Sequence, residues 1–108
     1  MKNGLYRVKF ETPMGSGAGV IVLNDGRASG GDSIMYYTGT YEQEGDKFKA
    51  RILSNVHSSA VGMSSVFGKD RVQILLEGNA SGTGGTMKGH SPDAPGVNFS
   101  ATLSWICD

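Results

Sequence analysis

The chain has 108 residues, with 10 Lys and Arg balanced by 10 Asp and Glu; it is long enough for one core and lacks the basic excess of a module that grips nucleic-acid phosphates. Its one cysteine, Cys107, rules out an internal disulfide framework and a cysteine-based zinc site. No apolar run approaches the ~20 residues of a membrane-spanning helix, and Arg7 and Lys9 interrupt any signal-peptide core, so a reduced, cytoplasmic domain is expected.

Taken in chain order, the pattern is that of strands. From Leu5 to Phe10, Tyr6, Val8 and Phe10 point one way, while Arg7 and Lys9 point to water. Gly15-Ser16-Gly17-Ala18-Gly19 is expected to be a turn or β-bulge, followed by the β-branched run to Leu23. Asn24-Asp25-Gly26 is a hairpin signal, because these residues tolerate the positive φ of a tight turn. A glycine-rich return strand, Arg27 to Gly31, comes next. Met35 to Tyr41 alternates, with Met35, Tyr37, Gly39 and Tyr41 on one face and Tyr36, Thr38 and Thr40 on the other. Glu42 to Asp46 is expected to turn the chain into Lys47 to Asn55, where Phe48, Ala50 and Ile52 oppose Lys47, Lys49 and Arg51. Val56 to Gly68 shows no firm period and is read as a loop with one helical turn or an irregular strand. Val72 to Glu77, Thr83 to Lys88 and Val97 to Ile106 are strands, the last with Phe99, Ala101, Leu103 and Trp105 on one face. His90 to Gly96, with Pro92 and Pro95, is a surface loop.

No stretch has the apolar i, i+3, i+4 spacing of an amphipathic helix. Seven or eight short strands between turn signals predict an all-β fold, mostly antiparallel and up-and-down. Closure into a barrel of about eight strands is preferred over a sandwich because it leaves no unpaired edge. Glycines inside strands, such as Gly39, permit the coiling that a small barrel needs.

Few residues suggest chemistry. The Gly15–Gly19 run precedes a strand instead of opening a helix, and it lacks the Lys-Ser/Thr of a phosphate loop. His57 and His90 have no neighbouring ligands at metal spacing and are read as surface residues. No nucleophile elbow is present. Neither a catalytic group, a metal nor a cofactor is therefore expected. Asp32 is expected to order its own turn through backbone amides, with a catalytic base as the lesser reading. Glu42, Glu44 and Asp46 form a solvated tip or an acidic recognition loop. Tyr6, Phe10, Tyr37, Phe48, Phe99, Leu103 and Trp105 lie on inward faces, as core or as the lining of a ligand cavity.

Lys2-Asn3-Gly4-Leu5-Tyr6, Gly17-Ala18-Gly19-Val20, Gly30-Gly31-Asp32 and Tyr37-Thr38-Gly39 together resemble the GrlR-type family, small negative regulators of type III secretion. Ser65-Val66-Phe67-Gly68 and the strand at Val72 to Leu76 are similar to that family's later half. The resemblance implies a lipocalin-like barrel with an apolar interior that forms homodimers. It also implies repression by direct contact with a transcriptional activator, without DNA binding. The family's acidic tetrad, associated with partner binding, corresponds here to Gln43, Glu44, Gly45 and Asp46. Two of its four acids are present, and Glu42 adds a neighbouring charge.

Two functions are thus expected to compete. One is a non-enzymatic regulator acting on a protein partner through Glu42, Gln43, Glu44 and Asp46. The other is a carrier or sensor of a small hydrophobic ligand inside the barrel. Homodimerisation is expected through faces carrying Tyr36 and the Val56–Val66 segment, since so small a chain gains stability by burying more surface.

Overall fold

A computed structural model describes residues 1–13, 15–58 and 71–108. The strands are β1 (Gly4–Thr12), β2 (Gly15–Asn24), β3 (Arg27–Gly31), β4 (Met35–Glu44), β5 (Lys47–Val56), β6 (Arg71–Ala80), β7 (Gly84–His90) and β8 (Asn98–Cys107). Each pairs antiparallel with the next, and β8 returns to β1, so the eight strands close a barrel. Because every strand pairs with its neighbour in sequence, the barrel is up-and-down, and closure removes both sheet edges. Among the described residues no helix is long and apolar enough to cross a membrane.

Period-two alternation sends one apolar set inward. Tyr6, Val8, Ile21, Leu23, Phe48, Ile52, Val72, Met87 and Leu103 are all buried in one continuous core, while Arg7, Lys9, Lys47, Lys49 and Arg51 are exposed. The barrel coils tightly where a side chain is missing. A Cβ on Gly39 would lie 2.0 Å from the Arg51 carbonyl oxygen and 3.0 Å from the Ile52 Cα, so only glycine allows β4 this close to β5.

The two ends differ. One is sealed by tight turns at Asp25-Gly26, Gly45-Asp46 and residues 81–83. Asp25 and Gly26 have φ of 50° and 86°, both positive as a type I′ hairpin demands. Residues 1–3 form a strap across this end, one residue to each turn region. The Met1 ammonium donates to the Gln43 side chain, and the Lys2 amide donates to Gly82 O at 3.0 Å. The Asn3 side chain exchanges two bonds with Asp25, each 3.0 Å. Beneath the strap, the fully buried Tyr6 donates to Lys2 O at 2.6 Å. The Lys2 ammonium sits 3.6 Å from the centroid of the Trp105 ring, and the Trp105 indole N–H is buried with no acceptor among the described residues.

Several boundaries move from their expected places. Gly15–Gly19 is neither turn nor bulge but regular strand, with Phe10 opposite Gly17 and Val8 opposite Gly19. Gly17 and Gly19 lack side chains because a Cβ there would meet the rings of Phe10 and Tyr37. Glu42 to Glu44 belong to β4, and the turn is only Gly45-Asp46. Cross-strand pairing of Glu42 with Lys49 and Glu44 with Lys47 prolongs the hairpin. On β8, Phe99, Ala101 and Leu103 are buried as expected, and a register shift opposite Leu5 and Tyr6 leaves Trp105 half-buried. The loop after β7 is not wholly superficial, since Ser91 and Ala94 are buried. Of the aperiodic segment Val56–Gly68, residues 59 onward lie outside the described residues, as do Ser65–Gly68 of the family resemblance.

Candidate functional site

The opposite end of the barrel carries the β1–β2, β3–β4, β5–β6 and β7–β8 connections. Here the interior is hollow, with a cavity of about 280 Å³. The inward rows of β1, β4, β5 and β8 supply Phe10, Tyr37, Ile52 and Phe99 to its wall. Phe10 meets Tyr37 edge-to-face, with ring centroids 6.2 Å apart at 87°, the geometry aromatic quadrupoles prefer. Gly17 leaves the space that Phe10 fills.

One polar cluster stands at the mouth. Asp32 follows the side-chain-free Gly31, and its Oδ1 accepts the amides of Ile34 at 2.8 Å and Met35 at 2.7 Å. Its own amide donates to Met35 O at 2.9 Å. This is the expected turn-ordering role. The other carboxylate oxygen accepts the Tyr37 hydroxyl. Burial, and then the hydrogen bond and charge of Asp32, hold the Tyr37 phenol well above its ordinary range, so it stays protonated and remains a donor. His57 braces the same loop, with its amide 2.8 Å from Ile34 O and its Nε2 2.8 Å from Asp32 O. A carbonyl only accepts, so Nε2 carries the proton there. His57 and His90 are both exposed.

The inward residues anticipated from alternation divide between two jobs. Phe10, Tyr37 and Phe99 line the cavity. Tyr6, Phe48 and Leu103 fill the core away from it, Phe48 stacked on Tyr41 at 5.4 Å, and Trp105 sits under Lys2 at the strapped end. Ser54 and Asp32 are among the cavity residues that escaped the sequence reading. Ser54, buried though polar, lines the cavity; it continues the inward row of Phe48, Ala50 and Ile52, which was the available signal. Asp32 also lines it, a role that turn chemistry alone does not announce.

The acidic group is rearranged. Glu42, Glu44 and Asp46 are exposed, but Gln43 turns toward the interior. Its Nε2 donates to Gly45 O at 3.1 Å and Ala80 O at 3.2 Å, and its Oε1 accepts from Met1. Gln43 therefore ties the strapped end together. Glu42 and Glu44 each stand opposite a lysine, and Lys49 also reaches Glu77 at 3.8 Å. These residues form a charge ladder, not an isolated acidic tip.

The outer wall of β2, β3 and β4 offers a different surface. Val20 and Val22 are 43% and 44% exposed and Tyr36 is 39% exposed. Gly31 lies between Val20 and Tyr36 in register, and Ser29 between Val22 and Thr38, so these six outward positions carry no charge and are bordered by exposed Arg7 opposite Val20 and by Arg27 next along β3. Among the described residues no three His, Cys, Asp or Glu side chains gather where a metal ion could be held. No family model matches this sequence, and no curated protein is significantly similar to it.

Proposed function

We propose that this chain is a non-enzymatic regulatory module of the cytoplasm that works by protein contact, like the GrlR-type repressors of type III secretion that its first forty residues resemble. The observation that carries the reading is the exposed apolar group of Val20, Val22 and Tyr36 on the outer wall, because contiguous exposed apolar surface marks interaction sites. Two things support it. The closed barrel agrees with the fold the resemblance implies. The motif residues Gly19, Gly31, Asp32 and Tyr37 also converge, a Cβ on Gly19 meeting Gly31 O and the Tyr37 ring. A transcriptional activator is the proposed partner, and a second copy of the chain would use the same field.

The test is capture of the host's secretion activator by the purified protein, alongside a secretion-gene reporter. Val20→Lys with Tyr36→Lys should abolish capture and raise reporter output. Glu42→Lys with Glu44→Lys should act more weakly, since lysines already face those acids. Capture and repression both unchanged in the folded first variant would defeat the reading.

The cavity favours a second reading, carriage or sensing of a small apolar molecule. Titration with ten-carbon alkyl probes should give saturable one-to-one binding. Phe99→Asp, with its circular dichroism retained, should lose it.

A further inference from the structure

Resting on that second reading, we propose that the cavity selects an apolar molecule whose polar end donates a hydrogen bond, a primary alcohol or amine, and rejects carboxylate-ended lipids. Asp32 and Tyr37 are the residues that read the head group.

Among the described residues no Lys, Arg or His lines the cavity, and the one charged residue there is Asp32. Lipid carboxylates are ordinarily met by cationic or donor-rich groups. Here an anionic head would meet a carboxylate in partly dehydrated surroundings, where like charges repel strongly.

The hydrogen-bond inventory points the same way. The loop amides of Ile34 and Met35 are already spent on Asp32 Oδ1. The Tyr37 hydroxyl has given its only hydrogen to the other carboxylate oxygen. What remains at the cluster is acceptor capacity, namely the second lone pair of that carboxylate oxygen and the lone pairs of the phenol. A head group that donates completes the cluster, and one that only accepts is left with the hydroxyls of Ser16, Ser33 and Ser54 along the wall, outside the Asp32–Tyr37 pair.

The volume adds a size limit. About 280 Å³ sits at the lower edge of the ~300–1,000 Å³ usual for ligand pockets. A single short chain or small ring system fits that space better than a two-chain lipid.

The experiment is calorimetry on the whole chain with 1-decanol, decylamine and decanoate at about pH 8, where the acid is ionised and the amine protonated. Decanol and decylamine should bind about tenfold or more tighter than decanoate, the ratio expected of one hydrogen bond to a charged group. Asp32→Asn should bring decanoate to within a few-fold of decanol. Tyr37→Phe, which leaves the carboxylate in place, should weaken decanol while still rejecting decanoate. Equal binding of all three probes by the native protein would overturn the head-group rule and leave the cavity reading standing. Binding of none would overturn both.

Discussion

Tyr37 donates its phenolic hydrogen to Asp32, whose other carboxylate oxygen holds the amides of Ile34 and Met35, so one strand side chain and one loop side chain lock the β3–β4 connection together. Tyr37→Phe should cost about 1.5–3 kcal/mol at neutral pH, the worth of a hydrogen bond to a charged acceptor.

Alkaline pH should act on the same contact. Because the folded-state pKa of Tyr37 is raised, first by burial and then by Asp32, its contribution is complete below the ordinary tyrosine value of about 10. Above that value the unfolded chain loses the proton first, and stability falls by about 1.4 kcal/mol per pH unit for that one proton. Tyr6, also raised by burial, adds to the fall. Urea unfolding at pH 8 and pH 11 measures it, and Tyr37→Phe should show the smaller drop. An equal drop in both proteins would contradict the assignment.

At the strapped end, the reciprocal bonds of Asn3 with Asp25 fasten the N-terminal segment to the β2–β3 turn. Asn3→Ala should lower stability by about 1 kcal/mol and speed amide exchange at Asp25 while leaving the cavity unaffected. Protection at Asp25 equal to that of the native protein would remove the strap from the account.

Gln43 and its acidic neighbours should separate in a stability scan. Gln43→Ala removes two donated bonds and the acceptor for Met1 and should cost about 1–2 kcal/mol. Glu42→Ala and Glu44→Ala touch only solvent-exposed pairings and should each change stability by less than about 1 kcal/mol. Chemical denaturation of the three variants decides the order.

Glycines should differ as sharply. Gly39→Ala drives a methyl into the backbone of β5 at Arg51 and should cost about 3 kcal/mol or more, with loss of the folded state as its extreme. A Cβ on Gly82 meets nothing within 4 Å, so Gly82→Ala should change stability by less than about 0.5 kcal/mol or raise it slightly. Thermal melts of the pair measure how tightly the barrel coils.

Much of the barrel is legible residue by residue. The alternation of Lys47 to Ile52 reports its inward face without help, because each step of a strand reverses a side chain's direction. Asp25-Gly26 reports its hairpin through the φ values those two residues tolerate. Gly15–Gly19 misleads because glycine has two uses. It relaxes the backbone at turns, and it vacates space beside large rings, and composition alone does not separate them. Their every-second-residue spacing was the clue, since Gly17 and Gly19 fall on the inward row.

The candidate site was legible only in its aromatic half. Phe10, Tyr37 and Phe99 announce themselves as inward by period two, yet period two equally announces Tyr6, Phe48 and Leu103. Which of them pack solid and which border a hollow depends on how far each sits along the barrel axis and on where glycines let the wall close in. Local sequence determined strands, faces and hairpins, because those are set within a few residues by dihedral preference and side-chain direction. Closure, the strap over one end, the inward turn of Gln43 and the meeting of Asp32 with Tyr37 at the other end were decided by tertiary structure. They arise from register summed around eight strands, a property no short segment contains.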